Sequence, residues 1–174
     1  MKKLISRALV LAMVLSTILA PASVHAATER GSYPTRKGTI LVTTDFYKGL
    51  IPTGHAAIVY SRNNVIESVS NGVVWGKNNW KSTKREFYGV TLRNTSGNQD
   101  AAAADWCRKQ IGKRYNFNYF NTGTRQRFYC SQLVWAAFKD KYGINMNTAA
   151  FGNAVHPIEL VTTNKTCTIY YRKR

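Results

Sequence analysis

The sequence predicts an α+β fold, in which a small antiparallel β-sheet packs against at least two helices. Short runs rich in β-branched and aromatic residues, separated by Gly, Asn, Ser and Lys, occupy residues 39–92. Such runs are typical of antiparallel strands joined by turns. Two stretches with helical spacing follow them. With 174 residues, of which 44% are hydrophobic, the chain is long enough for one compact domain with a single core.

The elements of this fold can be placed along the chain in order. Strands are predicted in six runs, at residues 39–43, 55–60, 64–69, 73–75, 86–92 and 165–171. Asn71-Gly72 is a strong signal for a hairpin turn. One helix is predicted over 98–111, which is Ala-rich with an acid near its start and basic residues near its end. A second is predicted over 130–142, where an apolar stripe is followed by Gly143.

Residues 1–26 have the pattern of a secretory signal peptide. A basic start precedes an apolar stretch at 8–20, and Val24 and Ala26 occupy the small-residue positions of a cleavage site. We therefore expect removal before Ala27 and a protein that is secreted or associated with the cell envelope. A permanent membrane anchor is the alternative, but the apolar stretch is shorter than the ~20 residues that a bilayer requires.

The remainder is predicted to be one domain. Residues 27–36 are polar, without an apolar period, and are expected to form an N-terminal lead-in, whereas residues 37–174 are expected to form the folded domain. No further apolar stretch in this part of the sequence is long enough to span a membrane.

The chain is strongly basic, with 25 Lys and Arg against 8 Asp and Glu and a formal net charge of +17. Three of the positive charges lie in the leader, which leaves +14 for residues 27–174. Such a charge favours an anionic cell-envelope surface as a partner. So few carboxylates argue against paired-acid chemistry and calcium loops. Because residues 27–174 contain only two histidines and no two neighbouring cysteines, no metal or organic cofactor is predicted.

Cys130 is the residue that points to chemistry. The chain has three cysteines, and an odd number in an exported protein leaves at least one thiol unpaired. Cys130 begins the predicted helix 130–142, where unsatisfied backbone N–H groups and the helix dipole lower a thiol pKa and can hold an oxyanion. The alternative is a small buried apolar residue at a helix end. A disulfide between Cys107 and Cys167 would leave Cys130 free.

His55 and Glu67 are the candidate partners of Cys130. His55 begins the predicted strand 55–60, and histidine is the usual base beside a cysteine nucleophile. Glu67 is an acid within the apolar run 64–69. If these two strands form a hairpin, Glu67 approaches His55 and orients its ring. The structural alternatives are a hydrogen-bonded core histidine and a solvent-facing glutamate.

Five segments carry a family resemblance: residues 38–42 (GTILV), 54–59 (GHAAIV), 65–68 (VIES), 129–135 (YCSQLVW) and 157–160 (PIEL). Together they resemble the permuted papain-like family related to the NlpC cell-wall peptidases, in particular its YiiX-like branch. Ordinary papain-like enzymes have the cysteine first, whereas the permuted branch has the histidine strand early and the cysteine helix late, as here. The resemblance covers about residues 37–162 and implies a circularly permuted papain-like (NlpC-like) fold.

The resemblance also implies the catalytic roles. Cys130 corresponds to the nucleophile, His55 to the base and Glu67 to the residue that orients the imidazole. His156 is the rival base and lies after the cysteine, as in an unpermuted order. It is disfavoured because it precedes Pro157 in a turn-like stretch without an apolar strand around it.

Substrate contacts are predicted for Tyr115, Tyr129 and Ser131. Residues 112–115 (GKRY) resemble the family's Gly-x-x-Tyr stretch ahead of the cysteine, and core packing is the alternative role of Tyr115. Tyr129 and Ser131 flank the nucleophile.

The sequence thus predicts an exported cysteine hydrolase that cleaves amide or peptide bonds, in cell-wall peptides such as those of peptidoglycan or in amino-acid conjugates. One alternative is an acyltransferase or thioesterase of the lecithin–retinol acyltransferase type, which usually shows Asn-Cys-Glu where this chain has Tyr-Cys-Ser. Another is a non-catalytic basic secreted protein that binds polyanions, because Lys and Arg alternate with aromatic residues through 105–128. Nucleic acid is the less favoured partner.

Overall fold

A seven-stranded sheet in which every neighbouring pair is antiparallel forms the framework of the protein. The computed structural model describes residues 27–45 and 54–174, so the predicted signal peptide lies outside the described residues. The strands are β1 (Thr28–Arg30), β2 (Ile40–Thr43), β3 (His55–Val59), β4 (Asn64–Val69), β5 (Gly72–Lys77), β6 (Glu86–Leu92), β7 (Arg114–Tyr115), β8 (Arg127–Phe128) and β9 (Thr166–Lys173). The helices are α1 (Trp80–Thr83), α2 (Gly97–Arg108), α3 (Cys130–Tyr142) and α4 (Glu159–Thr162).

The large sheet has the order β1-β9-β6-β2-β3-β4-β5, and β7 and β8 form a separate parallel pair. The prediction of an antiparallel sheet with helices is confirmed, although the sheet is wider than expected. Its additional strand, β1, lies within the predicted lead-in 27–36. All three of its residues are exposed, so this edge strand has no alternation of apolar and polar residues from which it could have been predicted. Glu29 secures it by accepting hydrogen bonds from Lys81 and Tyr170.

The turn between β4 and β5 is where the sheet meets the segment that follows α2. Gly72 pairs with Val69 and has a φ of +100°, and a Cβ on it would lie 2.1 Å from the carbonyl oxygen of Lys113. Only glycine tolerates both this positive φ and this close approach of a backbone oxygen. The edge of β5 is covered there, because Val73 donates to Lys113 and accepts from Gly112 through backbone groups. The chain turns towards β5 for these bonds, which is why α2 ends at Arg108 rather than at the predicted residue 111.

The sheet is covered on both faces. Helices α2 and α3 pack on one face, over a cluster that includes Ile40, Ala56 and Ile58. On the other face, Trp80 of α1 packs with a smaller cluster that includes Phe87. Burial on both faces explains why β2 and β3 are buried at every position.

The three cysteines are each free: Cys107 and Cys130 are buried, and Cys167 is partly exposed. The Sγ of Cys107 lies 3.8 Å from the carbonyl oxygen of Leu133. The suggested disulfide between Cys107 and Cys167 is therefore not formed in this structure. Within the described part of the chain, no helix is long and apolar enough to cross a membrane.

Candidate active site

The fold brings His55, Glu67 and Cys130 together at one end of the sheet. His55 is the first residue of β3, and Cys130 is the first residue of α3, which packs against β3 and β4. Both side chains are buried, with an exposed fraction of 2% each. A hydrogen bond between the two side chains influences the pKa of each. The predicted meeting of an early histidine with a late cysteine is thus present in the structure.

The register of β3 and β4 determines the position of Glu67. Ala57 is its Cα partner across the two strands. His55 lies two residues before Ala57 and therefore projects from the same face of the sheet as Glu67. The Nε2 of His55 donates to the Oε2 of Glu67 at 2.5 Å. The predicted hairpin thus brings carboxylate and imidazole into direct contact.

The electrostatics of the buried pair favour a charged state. Burial alone lowers the pKa of His55, but its hydrogen bonds and charge interactions with Cys130 and Glu67 raise it to about 9. Burial alone raises the pKa of Cys130, but the hydrogen bond and charge of His55 outweigh this effect, so the net pKa is lowered. Opposite shifts of a thiol and an imidazole in contact favour a thiolate–imidazolium ion pair.

Backbone groups around the sulfur of Cys130 also favour the thiolate. Hydrogen bonds from the backbone of Ala56 and Ser131 lower the pKa of Cys130 further. Ser131 belongs to the first turn of α3, whose N–H groups have no acceptor within the helix and lie at the positive end of its dipole. The start of α3 therefore offers N–H groups both to a thiolate and to an oxyanion beside it.

Trp80 packs against the imidazole, a contact that the sequence analysis did not identify. The rings of Trp80 and His55 are stacked, with centroids 5.8 Å apart and an interplanar angle of 29°. Trp80 is only 3% exposed, and the Nζ of Lys84 lies 5.3 Å from its ring centroid. The stacked indole restricts the orientation of the imidazole ring.

The three predicted substrate-contacting residues occupy different environments. Burial raises the pKa of the Tyr115 and Tyr129 phenols. The charge of the nearby Cys130 also contributes to raising both pKa values. The hydroxyl of Tyr129 accepts a hydrogen bond from the backbone N–H of Val155. Ser131 is fully buried and donates its hydroxyl to the carbonyl oxygen of Val155 at 2.6 Å. The backbone of Ser131, rather than its hydroxyl, therefore acts on the sulfur, and the substrate contact predicted for this residue remains a prediction.

Gln132 organises the loop beside the site and was also not identified from the sequence. It is fully buried, and its Oε1 accepts from the side chain of Asn116 and the backbone N–H of Tyr129. Its Nε2 lies within hydrogen-bonding distance of the carbonyl oxygens of Asn121, Thr122 and Thr124. One side chain thus ties the start of α3 to the loop before β8.

A groove of about 250 Å³ adjoins the site. We call it the aromatic groove; its lining comprises Tyr119, Phe120, Tyr129, Phe151, Ala154, Val155, His156 and Pro157. His156, the rival base, stacks on Phe151 with centroids 4.1 Å apart. Its Nδ1 accepts from the backbone N–H of Ile158, and burial lowers its pKa. His156 therefore belongs to the wall of the groove, whereas His55 is the histidine bonded to Cys130.

The chain is similar to known proteins in sequence and in fold. Residues 42–159 match the model of a family described as permuted papain-like amidase enzymes of the YaeF/YiiX type. The chain is 32% identical over 137 residues to the uncharacterized protein YycO of Bacillus subtilis (strain 168), and the match covers 76% of this chain and 55% of YycO. The chain therefore spans about half the length of this curated relative.

The fold is also similar to that of a solved structure, described as the metalloprotein yiiX from Escherichia coli O157:H7. The TM-score is 0.60 at 16% sequence identity, covering 79% of this chain and 97% of the other. Metal binding is a property stated for that protein. Among residues 27–45 and 54–174 of the present chain, no group of three or more His, Cys, Asp and Glu side chains is placed to hold a metal ion.

Proposed function

Because the chain belongs to the family of permuted papain-like amidases of the YaeF/YiiX type, we propose that it is a cysteine amidase with Cys130, His55 and Glu67 as its catalytic triad. Cys130 is the nucleophile, His55 is the general acid and base, and Glu67 orients the imidazole and stabilises its charge. The observation that carries this proposal is the pair of bonds made by His55, to the Cys130 thiol and to the Glu67 carboxylate.

The first half-reaction forms a thioester. The Cys130 thiolate attacks the carbonyl carbon of the amide, and the electron pair of the C=O double bond moves to the oxygen. Backbone N–H groups in the first turn of α3 stabilise this oxyanion. The His55 imidazolium gives its proton to the leaving nitrogen as the C–N bond breaks. An amine departs, and the acyl group remains on the sulfur.

The second half-reaction regenerates the ion pair. His55, now neutral, takes a proton from a water molecule, which attacks the thioester carbon. When the C–S bond breaks, the carboxylic acid product leaves and the sulfur is again a thiolate facing an imidazolium. Glu67, bonded to Nε2 of His55, stabilises the positive charge of the ring.

The proposed substrate is an amide or peptide bond in a cell-wall peptide, such as a peptidoglycan stem, or in an amino-acid conjugate. Tyr115 and Tyr129, close to the sulfur, would frame the reacting group. Export through the leader at 1–26 would bring the enzyme to such substrates, and a net charge of +14 on residues 27–174 would concentrate it at an anionic envelope.

Thiol reactivity tests this proposal without knowledge of the substrate. At mildly acidic pH, iodoacetamide should alkylate Cys130 much faster than Cys107 or Cys167, because the contact with His55 lowers the pKa of Cys130. His55→Gln should slow the labelling of Cys130, whereas His156→Gln, the matched control, should not. Equal labelling of the three cysteines, or the same rate in His55→Gln, would contradict the triad.

Acyl transfer is the second candidate, favoured by the apolar lining of the aromatic groove next to Tyr129. In that reaction an amine or alcohol, rather than water, takes the acyl group from the thioester. Product analysis with an amide substrate, in the presence and absence of an added acceptor amine, separates the two: hydrolysis yields the free acid in both cases, and transfer yields a new amide.

A further inference from the structure

The segment around the nucleophile carries positive charges and no negative ones. Residues 106–139 contain seven Lys and Arg and no Asp or Glu, and all eight carboxylates of the chain lie outside it. Within this segment, Arg108 and Arg125 form ion pairs with Asp105 and Asp140. The other five cations form no ion pair with a described residue.

Two of these cations face one another. Arg114 of β7 and Arg127 of β8 are direct register partners in the two-stranded sheet, and both are exposed. No ion pair between described residues involves either of them. Like charges placed opposite one another destabilise a strand pair, and an anion bound between them would remove this cost.

Large apolar side chains are exposed on the segment that follows Arg114 and along the aromatic groove. Three of the five exposed large hydrophobic residues of the described chain are phenylalanines in this region: Phe117 at 64%, Phe120 at 69% and Phe151 at 45% exposure. Phe117 contacts Tyr115, the neighbour of Arg114, with ring centroids 4.8 Å apart. Phe120 and Phe151 line the aromatic groove. Two exposed phenylalanines on one groove, with a third on the segment that follows Arg114, mark a contact surface.

We propose that Arg114, Phe117, Phe120, Arg127 and Phe151, together called the docking rim, bind the surface of an anionic lipid bilayer. The arginines meet phosphate head groups, and the phenylalanines enter the boundary between head groups and acyl chains. A soluble polyanion would satisfy the arginines alone, so the exposed phenylalanines favour a bilayer. That a docked protein would carry out its reaction next to the membrane rests on the proposed function.

Vesicle sedimentation tests the docking rim independently of catalysis. The Cys130→Ser variant is mixed with vesicles of phosphatidylcholine alone or of equal parts phosphatidylcholine and phosphatidylglycerol. It should bind the anionic vesicles and be released by salt. Arg114→Gln/Arg127→Gln should weaken this binding roughly 20-fold, because each surface cation contributes strongly. Phe117→Ser/Phe120→Ser should weaken it at least about tenfold, because their apolar area no longer leaves water.

Matched controls separate the rim from overall charge and apolarity. Arg62→Gln/Lys77→Gln removes the same charge from two exposed residues elsewhere, and Ile169→Ser removes an exposed apolar side chain on β9. Both control variants should bind the anionic vesicles almost as tightly as the Cys130→Ser protein does. The proposal is overturned if the Cys130→Ser protein does not bind anionic vesicles, or if the rim and control variants bind them equally well. It is also overturned if soluble polyphosphate binds as tightly as the anionic vesicles and Phe117→Ser/Phe120→Ser does not change vesicle binding.

The outcome is independent of the proposed function. Vesicle binding by Cys130→Ser involves no turnover, so an inactive wild-type protein that still docks contradicts only the amidase. An active protein that fails to dock contradicts only the docking rim.

Discussion

The carboxylate of Glu67 lies against Gly76, and no side chain fits between them. A Cβ on Gly76 would lie 2.0 Å from Oε1 and 2.8 Å from Cδ of Glu67. Gly76 is the Cα partner of Val65 on β4, so the glycine leaves open the space on β5 over which the carboxylate extends. With Oε1 in this space, Oε2 reaches Nε2 of His55.

We therefore expect Gly76→Ala to lower kcat roughly tenfold to hundredfold, because displacement of a catalytic group by about 1 Å has effects of this size. The alkaline limb of the pH–rate profile should also move to lower pH, since a displaced Glu67 no longer supports the imidazolium. Gly123→Ala is the control, because a Cβ there meets no atom within 4 Å. An unchanged pH profile in Gly76→Ala would contradict a positioning role for Gly76.

The pH dependence of the reaction follows from the two shifted groups. The rate should rise with pH as Cys130, whose pKa is lowered, becomes a thiolate, and fall as His55, whose pKa is raised to about 9, loses its proton. The two limbs belong to the coupled pair. Glu67→Gln removes the charge that helps to raise the pKa of His55, so the alkaline limb should shift to lower pH. A profile of kcat/KM against pH for both proteins checks this, and a coincident alkaline limb would count against Glu67.

Trp80 should contribute both stability and ring orientation. Trp80→Ala removes a side chain that is 3% exposed and should lower the free energy of unfolding by about 3–5 kcal/mol. Trp75, at 47% exposure, is the matched control, and Trp75→Ala should cost less than about 1 kcal/mol. Urea unfolding measures both values. Similar losses of unfolding free energy in the two variants would contradict a stabilising role of the buried Trp80 side chain.

Gln132 should be required for order in the loop beside the aromatic groove. Gln132→Ala leaves the buried backbone N–H of Tyr129 without its acceptor, which should cost roughly 1–3 kcal/mol. Amide hydrogen exchange should accelerate at residues 116–124, while Gln126→Ala, at an exposed glutamine, leaves exchange unchanged. Exchange in Gln132→Ala at the rate of the unmodified protein would exclude this function of Gln132.

The parts of the site that could be predicted depend on local pattern. Cys130 at a helix start could be read from the apolar stripe that follows it, and the approach of His55 to Glu67 follows once two strands form a hairpin. Strand β1 could not be predicted, because an edge strand exposed at every residue shows no alternation. The end of α2 at Arg108 depends on bonds to β5 that form only in the folded protein.

The residues that the sequence did not reveal act through contacts between distant segments. Gly76 matters because the carboxylate of a neighbouring strand lies over it, and Trp80 because its short helix folds back onto β3. Gln132 is a buried polar residue near the start of α3, and its five partners belong to a loop and the helix start. None of these relationships leaves a periodic signal in the chain.

The position of β9 makes the sheet depend on residues far along the chain. β9 lies between β1 and β6, so a nascent or proteolysed chain that lacks residues 166–173 leaves the backbone groups of both neighbours unpaired. Unpaired strand edges recruit other chains. Shortened forms of this protein should therefore aggregate through β6 rather than persist as smaller folded units.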